Sequence, residues 1–242
     1  ISSSLVVILH TNLSYEFERL SVMSLKSIIT SRKSIRSFTD KPVPDDIIEE
    51  IFSVAQSSPS NCNVQPWHSY VVSGDKKEKL KNVFLAELMA GKKPNPDFNW
   101  SVSYQDEHRK RQIGAAVSLY GALGIGREDK QERQMAMVRN WQFFGAPHVV
   151  FFTMRKYLDI MGAVDIGIYA QTLALLMQEK GIGSCMQGAL GQYPDPARKL
   201  LDIPEERGIL FGMSFGYADE KAPENKIEVG REALGDAVQF HK

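Results

Sequence analysis

Of the sequence's 242 residues only two, Cys62 and Cys185, are cysteines. They stand far apart, so no disulfide framework supports the fold, and reduced thiols in a cytoplasmic setting are expected. An excess of one charge sign is also lacking: 29 Lys+Arg balance 29 Asp+Glu. That removes the basic surplus with which proteins engage nucleic-acid phosphates. The five histidines are scattered, and with no HExxH or CxxC spacing no metal site is expected. The hydrolase elbow GxSxG and the phosphate cradles GxGxxG and GxxxxGK(S/T) are missing as well. Hydrophobic residues at 43% and charged residues at 24% are ordinary for a globular protein and argue against a disordered or membrane-spanning chain.

Residues 1–22 carry a five-residue apolar run, Leu5–Leu9, too short for a signal peptide or a membrane helix. They are expected to form a poorly packed extension ahead of one domain over 23–242. Asp45-Asp46 follow Pro42 and Pro44, and with apolar residues at Ile47, Ile48, Ile51, Phe52 and Ala55 they predict a helix over 45–56. Strands are predicted at 68–73, 148–154 and 208–217, the second nearly all apolar and so buried on both faces. Helical patterns cover 76–90, 104–122, 127–143, 159–180, where Gly181 is a good C-terminal cap, and 194–201. Interleaved strands and helices without a linker predict one domain with a central sheet between helical layers.

Four segments hold residue types suited to binding. Ser31–Phe38 sets Arg32, Lys33 and Arg36 among hydroxyls, a set that matches phosphate or carboxylate oxygens and equally makes a solvated basic turn. Ser58–Trp67 packs amides and hydroxyls between a helix and a strand; these can read the edge of a heterocycle or simply cap a turn. Gly181–Ala189 is glycine-rich and lets backbone N–H groups approach a flat ligand. Ala222–Lys226, leading to Gly230-Arg231, forms the fourth.

In this order Arg-x-Ser-x-Arg at 32–36 and Ser-Pro-Ser-x-x-Asn-x-Gln-Pro-Trp at 58–67 resemble the nitroreductase family of FMN-dependent oxidoreductases, from about Met23 to the C-terminus. The resemblance implies an α+β fold with a central, mostly antiparallel sheet flanked by helices, in an intertwined homodimer with FMN at the subunit interface. It implies ping-pong electron transfer from NADH or NADPH to small nitroaromatic or quinone-like acceptors. By the same resemblance Arg32, Lys33 and Ser34 hold the FMN phosphate and ribityl chain. Arg36 faces the pyrimidine edge, where a cation raises the flavin's potential. Pro59, Ser60, Asn61 and Asn63 reach the partner's FMN; Met186, Gln187 and Gly188 lie along the ring; Arg231 is the C-terminal phosphate cation.

Val229 stands where many relatives carry a cation, leaving the phosphate to Arg32 and Arg231. Phe-Phe-Gly-Ala-Pro at 143–147 and Tyr-Gly-Ala-Leu at 120–123 resemble the nitrobenzoate and nitroaromatic reductase branch. Phe98, Trp100, Tyr104, Phe143 and Phe144 are candidate pocket aromatics or core residues. A reductive dehalogenase on the same scaffold and a non-catalytic flavin sensor are the competing readings.

Overall fold

The computed structural model describes residues 23–99 and 102–242, so the expected extension over 1–22 and the aromatic Trp100 lie outside the described residues. Ser24 starts α1 (Leu25–Ser31) by accepting the Ser27 N–H at 3.1 Å, which satisfies a donor the helix itself cannot. The hydrophobic spacing does not announce this helix. Asp45 and Asp46 open α2 (Asp45–Ala55), as predicted. β1 (His68–Ser73) runs directly into α3 (Gly74–Met89), and α4 (Asp106–Ala122) follows the proline-bearing loop.

α5 (Lys130–Val138) stops short of the predicted limit at 143. Phe143 and Phe144 both take left-handed φ, 56° and 54°, in a tight turn that sends their rings into the core. The remaining elements are β2 (His148–Arg155), α6 (Asp159–Glu179), β3 (Gly183–Gln187), α7 (Pro194–Leu201), β4 (Arg207–Gly216) and α8 (Leu234–Ala237). Gly181 takes φ +70° just past α6, as its place in the sequence predicts. β3 occupies a glycine-rich segment for which the sequence predicts no strand.

The strands form one sheet in the order β1-β2-β4-β3, with every pairing antiparallel. This is the α+β arrangement. Along β2 the side chains alternate between two apolar layers. Val150, Phe152 and Met154 join Ile166, Tyr169 and Leu173 of α6 on one face. Val149 and Phe151 join Leu80 and Phe84 of α3 and Ala197 of α7 on the other. Both faces are covered, so β2 reads as a continuous apolar run although its neighbours are antiparallel. Each such side chain contributes about 1.5–3 kcal/mol of burial.

The stretch 156–179 is long and apolar enough to cross a membrane. Its buried residues, Tyr169, Leu173 and Met177 among them, face the sheet, and that core role accounts for the composition. Ile160, Met161, Val164 and Ile168 on the same helix remain exposed.

The loop ahead of α4 is fastened by Asp97, whose carboxylate takes Arg198 on both oxygens at 2.8 and 2.7 Å. Lys156 at 3.0 Å and the Ile209 N–H at 2.9 Å complete its shell. Phe98 then seats on Gly208, where a Cβ would come within 2.4 Å of the ring.

Candidate functional site

Residues 32–36 leave α1 and lie along β3. The Ile35 N–H donates to the Ser184 carbonyl at 3.0 Å, and Ser34 and Ser184 form a parallel bridge. The close approach depends on Gly183: a Cβ there would meet Ile35 Cγ1 at 2.6 Å. Ile35 is in turn buried with Phe38, Phe144, Ala146 and Cys185. Two apolar anchors thus hold a segment whose other residues are cationic or hydroxylic.

The Arg36 backbone is clamped from both sides. Its N–H donates to Asn225 Oδ1 at 2.7 Å, and the same oxygen takes the Ser37 N–H at 3.2 Å. Its carbonyl accepts Arg139 Nη2 at 2.8 Å, while Arg139 Nη1 pairs with buried Glu224 at 2.7 Å. Asn225 Nδ2 returns bonds to the Ser37 and Asp219 carbonyls, so this buried amide is fully used. Among the described residues neither Arg32, Lys33 nor Arg36 forms an ion pair; Arg36 Nη1 reaches only the Ser34 carbonyl, at 3.4 Å. Burial raises the Cys185 thiol above its ordinary pKa, opposed by the nearby charges of Arg36 and Arg32.

Next to this segment, Met186 is exposed and Gln187 is buried. The Gln187 side chain turns inward, donating to the Asn140 carbonyl at 2.8 Å and accepting Ser214 Oγ at 2.5 Å. It serves the sheet. Gly188 has nothing within 4 Å of a Cβ position, so its backbone lies open.

The loop with Pro59, Ser60, Asn61 and Asn63 sits elsewhere. Cys62, Asn63 and Gln65 hold positive φ of 47°, 56° and 46°, a run of left-handed residues that needs outside support. The Gln65 N–H donates to Ser60 Oγ at 2.9 Å, and the Asn61 N–H donates to the buried Asp165 carboxylate at 3.1 and 3.3 Å. Trp67 stacks on Tyr169 at 4.8 Å and fixes the loop's exit. Ser31, where the cationic segment begins, accepts Gln178 Nε2 at 3.2 Å. Asp165 and Gln178 lie thirteen residues apart on α6, about 20 Å at 1.5 Å per residue. Within one chain the two sets of candidate residues are therefore held well apart.

Arg231 lies in the exposed tail, with its guanidinium on the Val229 and Gly230 carbonyls at 2.9 and 3.0 Å. Its neighbour Glu232 pairs with Arg111 of α4 at 2.7 Å, so the tail is tied to that helix. Phe143 and Phe144 are core residues, Phe98 packs on Gly208, and Tyr104 is exposed. Sequence reasoning missed Arg139 and Asp165 as supports. Both sit in ordinary helical or turn contexts about a hundred residues from what they hold. Asn225 belonged to a segment already singled out, without a role.

The nitroreductase family model matches residues 29–217. Nitroreductase NfnB of Mycolicibacterium smegmatis is 36% identical over 216 residues, which is 89% of this chain and 92% of the relative. A 4-nitrobenzoate reductase of Pseudomonas putida is 30% identical over 214 residues, 88% of this chain and 94% of the relative. The crystal structure of the FMN-dependent nitroreductase NfnB from Mycobacterium smegmatis in complex with NADPH superposes with a TM-score of 0.86 at 34% identity. It covers 90% of this chain and 97% of that one.

Proposed function

The chain belongs to the nitroreductase family, and on that premise we propose that it is an FMN-dependent oxidoreductase passing electrons from NAD(P)H to nitroaromatic or quinone-like acceptors. One observation carries this reading: the unpaired cations of 32–36 are docked on β3 beside the open backbone at Gly188. That donor set fits FMN, with guanidinium and ammonium groups for a phosphate and a glycine surface for a flat ring. When bound, FMN accepts the electrons of the nicotinamide and yields them to the acceptor; no protein nucleophile is needed.

This chain's part is to bind, orient and tune. Arg32, Lys33 and Ser34 would take the phosphate and ribityl oxygens. Arg36 would place its positive charge at the pyrimidine edge and favour the electron-rich state there. Its backbone cannot drift, because Asn225 and Arg139 grip it from either side. Met186 and Gly188 would line the ring, with Gln187 locked inward to keep β3 in register.

The arrangement supports a homodimer. The Ser60–Asn63 loop lies about 20 Å along α6 from the cationic segment, so it is suited to reach the flavin of a second subunit. The exposed stripe of Ile160, Met161, Val164 and Ile168 is an apolar surface such a subunit would cover. Residues 23–242 act as one FMN-binding domain in this reading, and the free thiols of Cys62 and Cys185 agree with a cytoplasmic setting.

An absorbance spectrum of the purified protein, followed by anaerobic NADPH or NADH, tests the proposal. A yellow protein whose flavin bands bleach and recover on adding 4-nitrobenzoate or a quinone is expected. A colourless protein that takes up no added FMN would overturn it. Arg36→Ala is expected to slow bleaching while leaving the fold intact.

A further inference from the structure

The turn Pro223–Asn225 carries two adjacent polar residues that are buried, Glu224 and Asn225. Both act on one residue of the cationic segment, Arg36. Asn225 reaches its N–H directly. Glu224 reaches its carbonyl through Arg139, whose Nη1 holds the carboxylate at 2.7 Å while Nη2 holds the carbonyl at 2.8 Å. The pair joins residues 85 positions apart.

Gripping a carbonyl needs only a neutral donor. A buried ion pair is a poor way to gain stability, because two charges leave water for one attraction. Glu224 is nonetheless only 5% exposed, and among the described residues its carboxylate has no partner besides Arg139. What the pair adds to the grip is control of charge. The Arg139 guanidinium stands one hydrogen bond behind Arg36, and unopposed it would be a second cation next to the group assigned to the pyrimidine edge. Glu224 cancels it, in surroundings where water screens little.

Lys81 repeats the pattern. It lines the same cavity of about 360 Å³ as Arg139 and Ser37, and it is paired with Glu78. The cations behind the segment are thus neutralised, whereas among the described residues Arg32, Lys33 and Arg36 on it have no acid.

We propose that Arg139 and Glu224 are positioning residues that set the reduction potential of the bound flavin: Arg139 holds Arg36 in place, and Glu224 keeps the second guanidinium from adding its charge to the pyrimidine edge. This rests on the oxidoreductase reading. The two halves of the pair act with opposite sign. Without the carboxylate the extra cation favours the electron-rich flavin and raises the potential. Without the guanidinium the bare carboxylate lowers it.

Equilibrium titration of the FMN-loaded protein with dithionite, against a reference dye and with no nicotinamide or acceptor present, tests this without turnover. Glu224→Gln keeps the side chain's shape and an oxygen for Arg139. It is expected to favour reduction by about tenfold, which is about 30 mV for a two-electron couple. Arg139→Gln is expected to shift the equilibrium by about the same factor in the other direction. Arg139→Lys keeps the charge without the fork and is expected to stay within about twofold of the parent protein. A loosened Arg36 would move both Gln variants the same way, so opposite shifts separate charge from mere support. An unmoved potential in Glu224→Gln, shifts of one sign in both Gln variants, or a shift in Arg139→Lys as large as in Arg139→Gln would overturn the proposal. Should Arg139→Gln fail to fold, Glu224→Gln and Arg139→Lys decide the matter by the same criteria. A chain that takes up no FMN overturns the oxidoreductase reading, whereas an FMN-loaded chain with an unmoved potential overturns this inference alone.

Discussion

β2 and α4 are opposites within one chain. Every residue of β2 from His148 to Met154 is buried, whereas α4, seventeen residues long, buries none. β2 is held by the layers on both its faces, so its sequence is constrained at every position. α4 is held by a few contacts, chiefly the Arg111–Glu232 pair and the Pro223–Asn225 turn. A scaffold that rigid can carry a cover that loose, and the looser region is where side chains are free to select a ligand.

The largest test of that contrast is Phe152→Ala. It should cost about 3–5 kcal/mol by opening a cavity between sheet and α6, read from denaturant unfolding. A loss under 1 kcal/mol would mean that the packing on both faces of β2 does not carry the stability assigned to it. Asp97→Ala should cost a similar amount, about 3–5 kcal/mol, because it strips Arg198 and Lys156 of their shared carboxylate while Arg198 remains largely buried. It should also loosen the loop that enters α4, seen as faster proteolysis near residue 99.

Asn225→Ala should cost about 1–3 kcal/mol, since the Arg36 and Ser37 N–H groups lose their acceptor. FMN retention should fall with it; full retention would show that Arg36 needs no backbone clamp.

A pH effect follows from His148, which sits at the start of β2. Its Nε2 accepts the Val43 N–H at 2.9 Å, so Nδ1 carries the proton and donates to Ser73 Oγ. Burial, with Lys77 adding to it, pushes the imidazole below its ordinary 6.5. The unfolded chain therefore takes up a proton first as pH falls. Stability should be flat above about 6.5 and decline below it, toward the lower folded value. His68, also lowered by burial, adds in the same direction. A denaturation midpoint that stays put between about pH 7.5 and 5.5 would count against a neutral His148 at that bond. The smallest effect is expected on α4, where Val117→Ser should change stability by about 0.5 kcal/mol or less.

Much of the fold was legible because its signals are local. β2 is an apolar run, α2 opens on two aspartates behind prolines, and Gly181 marks the end of α6. What stayed hidden depends on distant partners. β3, Gly-Ser-Cys-Met-Gln, has little strand character of its own and forms because β4 pairs with it. The left-handed turn at Phe143-Phe144 is imposed by the core that receives both rings.

The site divides the same way. The cations of 32–36 and the amide loop at 58–67 are visible as residue types. Their supports are not: Arg139 and Asp165 are ordinary charges until the fold carries them across the chain, and Glu224 stands in a segment whose residue types give it no role. Arg231 was legible as a cation, yet its guanidinium rests on its own tail.

α6 holds the loop's anchor at Asp165 and the cationic segment's contact at Gln178 on one continuous helix. It therefore acts as a gauge between the two halves of the site. A residue inserted between those points would lengthen it by only about 1.5 Å but turn one anchor by about 100° relative to the other. The number of residues between its two anchors is therefore fixed by the site.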